Sequence, residues 1–131
     1  MKEVLEFLQK AGTFYLATVD GDQPRVRPFG AVCEFEGKLY ITTANTKDVY
    51  KQMVKNPKIE ISAMTDDGKW IRLAGEVVTD DRDDARVAML EANPNLKNMY
   101  SIGDGKFEVL YFKNATATIC SFTDAPVTCT F

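Results

Sequence analysis

With 131 residues, 45% hydrophobic and 27% charged, the chain has the size and make-up of one globular domain, residues 1–131. A net charge of −3 gives no long-range attraction for nucleic acid, and no apolar run reaches the ~20 residues that a membrane-spanning helix requires. Histidine is absent, which excludes a Ser-His-Asp triad, a Cys-His pair and the commonest zinc and haem ligands.

The first segment, MKEVLEFLQKAG, places Val4, Leu5, Leu8 and Ala11 on one helical stripe, with Gly12 as a stop. Its acids lie among its apolar residues, which is not the pattern of a secretory signal, so a cytoplasmic location is expected. TFYLATV follows as a strand and ends at Asp20-Gly21-Asp22, a hairpin signal. Next, PRVRPFGAVCEFEGKLYITTA reads as two strands joined at Glu36-Gly37-Lys38. Pro28 and Gly30 inside the first mark an edge, a bulge or a backbone closely approached by another group. TKDVYKQMVK reads as a helix with Tyr50, Met53 and Val54 on one face, capped by Asn45 or Thr46 and ended by Asn56-Pro57.

IEISAMT and KWIRLAGEVVT form a hairpin about Asp66-Asp67-Gly68-Lys69. A helix is expected from Asp80 to Ala92, with Asp81, Asp83 and Asp84 in its first turn. Asn93 to Gly105 is irregular, with or without a short helical turn, and FEVLYFKNATATICSF closes the chain as a long, bulged strand. Six strands with hairpin connections make an antiparallel sheet, and curling into a barrel is how so short a chain hides its edges. The expected fold is a small barrel with three peripheral helices. Cys33, Cys120 and Cys129 show no C-x-x-C spacing, and their odd number argues against a disulfide framework. Cys33 and Cys120 are expected in the core and Cys129 near the surface.

Three groups of residues stand out for chemistry. Arg25 and Arg27, two apart on a strand, share a face with Phe29, Ala31, Cys33 and Phe35. Two guanidiniums beside an apolar face make an anion-sized notch; equally, they fit arginines solvated where the strand leaves the barrel. Thr42 and Thr43 lead into a helix whose N-terminus offers unpaired N–H groups. Lys47 lies in its first turn, against the macrodipole, as it would if phosphate bound there, or as a solvated lysine would. Trp70 shares the outward face of its strand with Arg72, Ala74 and Glu76, which suits an interface or a ring folded over the barrel end. The acidic run Asp80–Asp84 reads as helix capping rather than a metal site.

The order of helix, hairpin, Pro-Arg-Val-Arg-Pro strand, Leu-Tyr-Ile-Thr-Thr, lysine helix ending in Asn-Pro, and Trp-Ile-Arg-Leu-Ala-Gly-Glu-Val resembles a known family. This is the FMN-binding split-barrel family related to pyridoxamine 5'-phosphate oxidase, and the likeness covers roughly residues 1–120. The resemblance implies a mainly β fold, a six-stranded antiparallel split barrel with peripheral helices, and an FMN site. Arg25, Val26, Arg27 and Pro28 would line the flavin, an arginine of that stretch reaching the phosphate. Thr42 and Thr43 would follow along the cofactor and Lys47 would meet the phosphate. Trp70 would face the flavin of the other subunit in a homodimer with its sites at the interface.

One departure bears on substrate. The true oxidases carry a C-terminal tryptophan and an Arg-Leu-x-Pro motif, whereas here Trp70 is the one tryptophan and the chain ends in DAPVTCTF. Pyridoxamine phosphate is therefore not the expected substrate. The resulting expectation is an FMN-dependent oxidoreductase acting on a small molecule, with a flavin-binding or sensing module without turnover as the alternative. Haem fits poorly without a histidine, and single-stranded nucleic acid fits poorly with the acidic charge and the lack of a basic-aromatic strip.

Overall fold

Every residue, 1–131, is described in the structure, a computed structural model. Period-two burial sets the strands. In β1 (Phe14–Asp20), Phe14, Leu16 and Thr18 turn inward while Tyr15 faces out. The chain continues through β2 (Gln23–Phe29), β3 (Val32–Phe35) and β4 (Lys38–Ala44), then β5 (Lys58–Met64), β6 (Trp70–Asp80), β7 (Phe107–Cys120) and β8 (Val127–Thr130). Three α-helices, α1 (Lys2–Ala11), α2 (Asp48–Lys55) and α3 (Asp83–Ala92), and a 3-10 turn at Pro94–Asn98 complete it.

All pairings are antiparallel, in the order β2-β1-β5-β6-β7-β4-β3, with β8 added on β7. The two end strands are not hydrogen-bonded to each other, yet only Gly30 and Ala31 separate them in the chain. So short a link forces the sheet to curl until its ends nearly meet, which makes a barrel split between β2 and β3. α1 and α2 supply Val4, Leu8, Val49 and Met53 to an interior built on Leu16, Ile41, Ile61, Ile71, Leu73 and Leu110. α3 covers the outside of β3, β4 and β7, where Ala85 and Met89 pack with Tyr40, Leu96, Tyr100 and Phe107. β4 is consequently buried on both faces from Leu39 to Ala44.

Several expectations change in detail. There are eight strands rather than six: the expected second strand breaks at Gly30-Ala31, and the C-terminal residues form β8. α2 begins at Asp48 and buries Val49 and Met53, while Val54 faces solvent, because an i, i+4 pair is enough to seat two turns. α3 begins at Asp83, not Asp80: β6 runs on through Asp80, whose buried carboxylate accepts the Tyr40 hydroxyl at 2.6 Å. Cys33 is buried as expected. Cys120 instead lies half-buried opposite Trp70, and Cys129, also half-buried, packs on the core.

β6 and β7 hold their long pairing by one bulge. Ala74 pairs with Thr116 and Glu76 with Lys113, so Asn114 and Ala115 together face Gly75. Asn114 takes φ +50°, in the left-handed region. The bulge turns the backbone groups of Ala115 away from β6, and Phe131 satisfies both, with N···O distances of 2.7 and 2.9 Å. The C-terminus is thereby tied to the barrel.

Candidate functional site

A cleft of about 300 Å³ opens beside the split. Its first wall is Arg27, Pro28 and Phe29 at the end of β2, with Gly30 and Ala31 crossing to β3. Its second is Thr42 and Thr43 of β4 with Lys47 and Val49 at the start of α2. The third comes from the 3-10 segment: Asn95, Leu96, Met99 and Tyr100. Asn93 pins that segment by donating to the Val32 carbonyl at 3.0 Å, and Tyr100 stacks on Phe107 with ring centres 4.9 Å apart.

The cleft has an electropositive end. Arg27 enters no ion pair; its guanidinium donates to the Leu16 carbonyl (3.2 Å), Thr18 Oγ1 (2.8 Å) and Gln52 Oε1 (2.8 Å), all neutral acceptors. Burial, and secondarily the neighbouring Arg25, lowers its pKa from the usual arginine value. Lys47 is the N-cap of α2 rather than a first-turn residue, and no side chain caps the helix, so its first N–H groups are unclaimed. A free lysine, a free arginine edge and an uncapped helix N-terminus face one recess, and all three favour an oxyanion.

Hydroxyl groups line the rest. Thr42 donates to the Glu108 carbonyl at 2.8 Å and is occupied. Thr43 (3% exposed) and Tyr100 (8% exposed) have no partner for their hydroxyls within the protein. No buried side-chain oxygen is orphaned, so both hydroxyls reach open space where a ligand can meet them. Burial, then Asp104, raises the Tyr100 pKa, which keeps the phenol protonated and able to donate.

Of the residues expected at the site, Arg27, Pro28, Thr42, Thr43 and Lys47 meet in this cleft. Arg25 lies outside it and pairs with Asp20 at 3.2 Å on the exposed hairpin. Val26, 67% exposed, points outward from β2. Trp70 stands at the start of β6, its ring centre 5.0 Å from that of Phe122, itself 85% exposed. Sequence reasoning missed Thr18, Gln52 and the 3-10 wall. Thr18 carried a signal, being the polar third member of an inward row begun by Phe14 and Leu16. Tyr100 carried none, since no periodicity governs its segment.

The sequence profile of pyridoxamine 5'-phosphate oxidase matches residues 1–119. The chain belongs to the pyridoxamine 5'-phosphate oxidase family. Among solved structures, it is 60% identical to a NimC/NimA family protein from Clostridium acetobutylicum, with a TM-score of 0.94 over 98% of this chain and 93% of that one. A pyridoxamine 5'-phosphate oxidase-related, FMN-binding protein from Nostoc punctiforme shares the fold at 16% identity, with a TM-score of 0.67 over 99% and 95% of the two chains. A haem-binding protein from Mycobacterium smegmatis, also 16% identical, shares it with a TM-score of 0.75 over 95% of this chain and 55% of that one. No curated protein sequence matches. The family match ends just before Cys120, so the loop bearing Phe122 and the strand β8 lie beyond it.

Proposed function

We propose that the protein binds FMN in this cleft, as a cytoplasmic homodimer, and acts as a flavin-dependent oxidoreductase on a small molecule. The observation that carries the reading is Arg27, a cation with no acidic partner, held at a cleft that also presents Lys47 and an uncapped helix N-terminus. These groups fit a phosphate monoester; Thr43 and Tyr100 offer hydroxyls to the rest of the cofactor. Bound FMN would supply hydride and electron transfer, so the lack of histidine is no obstacle to that chemistry. The protein's part is to anchor the phosphate, shape the recess with Phe29, Leu96 and Met99, and restrict water.

The dimer reading rests on the outer sheet face, where Tyr15, Val26 and Met64 are exposed and Trp70 is half-exposed, an apolar area suited to a second copy. In that arrangement Trp70 caps the partner's flavin. Three free cysteines agree with a reducing compartment, and no helix is long and apolar enough to cross a membrane. Haem is disfavoured because no histidine can ligate the iron.

A fluorescence-quenching titration with FMN tests the site. Arg27→Ala is expected to weaken binding by roughly 2 kcal/mol, the scale of a charge-assisted contact, while Arg25→Ala leaves it nearly unchanged. Equal losses in both variants would place the phosphate elsewhere. Steady oxidation of a reduced nicotinamide in the presence of an electron acceptor would separate an enzyme from a flavin-binding module without turnover.

A further inference from the structure

The contacts of Arg27 account for three of its five N–H groups. Nη1 spends both, on the Leu16 carbonyl and on Thr18 Oγ1, and Nη2 spends one on Gln52 Oε1. What remains is Nε–H and the second Nη2–H, which lie side by side and form the fork that matches two oxygens of a phosphate or carboxylate. Arg27 lines the cleft, and this fork has no protein partner.

The opposite edge is held by a closed set of hydrogen bonds. Thr18 Oγ1 accepts from Arg27 and donates its own proton to Gln52 Oε1 at 2.5 Å, and Gln52 Oε1 accepts from both. Since a guanidinium only donates, the atom that Gln52 turns towards it must be the carbonyl oxygen, which fixes the amide orientation. Thr18 is 2% exposed in β1, and Gln52 is half-buried on α2. Two elements therefore grip the arginine without giving it a counter-charge. A glutamate at position 52 would fit the same space and neutralise it. The aspartate nearest in the hairpin, Asp20, is engaged by Arg25 instead.

We propose that Thr18 and Gln52 are positioning residues: a neutral clamp that turns the free fork of Arg27 to the cleft with its charge undiminished, so that the site selects phosphorylated ligands over uncharged ones. This deepens the flavin reading, which supplies FMN as the phosphorylated ligand, but the clamp itself would serve any phosphate monoester. A side chain needed only for packing would not distinguish a charged from an uncharged ligand of the same ring system.

The decisive variant is Gln52→Glu, which keeps both acceptor contacts and converts the clamp into an ion pair. Dissociation constants for FMN and riboflavin are measured on the wild-type protein, on Gln52→Glu, and on Lys55→Gln, an equal change in net charge near the end of the same helix. The clamp predicts that Gln52→Glu weakens FMN about tenfold or more, leaves riboflavin unchanged, and melts no lower than wild type. Unchanged FMN binding, a parallel loss of riboflavin, or an equal loss in Lys55→Gln would overturn it. Inorganic phosphate, followed by the ¹⁵N shift of Arg27 Nε, separates the clamp from the flavin assignment. A shift in wild type that Gln52→Glu abolishes supports the clamp even if FMN itself does not bind. FMN binding with no phosphate-dependent shift at Arg27 would overturn the clamp and leave the flavin reading standing.

Discussion

Asp80 carries a network away from the cleft whose charge has a definite consequence. Its carboxylate, 7% exposed, accepts from Arg82 Nη2 at 2.9 Å, Arg82 Nε at 3.0 Å, the Arg82 backbone N–H at 3.1 Å and the Tyr40 hydroxyl at 2.6 Å. The Arg82 hydrogen bonds, followed by that of Tyr40, outweigh burial and hold the carboxyl well below the usual carboxylate range. A depressed folded pKa contributes stability that is fully present above the unfolded value of about 4 and is lost as pH falls through the folded value. Asp80→Asn is expected to cost about 1–3 kcal/mol at neutral pH and to remove part of the acid dependence. Urea midpoints at neutral and acidic pH check this, and the gap between wild type and variant should narrow at the acid end. Burial pushes the Cys33 thiol up to about 12, with Glu34 adding to the effect, so this cysteine is packing and not a nucleophile.

Among the elements, the β6–β7 bulge is the most demanding. A Cβ at Gly75 would stand 3.0 Å from Ala115 Cβ, 3.1 Å from Ala115 Cα and 3.1 Å from Phe112 Cδ1. Two of these neighbours belong to the tightly held bulge, so Gly75→Ala is expected to destabilise by roughly 1–3 kcal/mol, read as a lower melting temperature. A melt like that of wild type would mean that the bulge yields.

Much of this level was legible in the sequence. Alternation, the Asp-Gly and Glu-Gly turns and the Asn-Pro helix stop are local signals, and they located β1, β4, β5, β6, β7 and all three helices. The break at Gly30-Ala31 was visible only as an ambiguity, because an edge, a bulge and a closely approached backbone all use Pro and Gly. β8 was not legible: its four residues are mostly exposed, and they are strand because β7 and the bulge offer unpaired backbone groups. At the cleft, Arg27, Thr42, Thr43 and Lys47 followed from motif order. Gln52 and Tyr100 did not, since each reaches the site by a tertiary contact that no spacing encodes.

At the scale of the whole molecule, the split places the cleft beside strand β2, so the proposed cofactor site and the proposed interface share an element. Val26→Asp sets a charge on the outer sheet face, where a monomer solvates it at little cost but a dimer must bury it unpaired. Light scattering is expected to fall from twice the chain mass to the chain mass, with weaker FMN retention if Trp70 of the partner completes the site. A variant that stays dimeric would move the interface to another face. The claim on which all of this rests is that the Arg27–Lys47 cleft holds FMN. It is tested most directly by the visible absorption spectrum of the purified protein, recorded before and after adding FMN and desalting. Flavin bands that survive desalting are the predicted result; a folded protein that stays colourless would contradict the account.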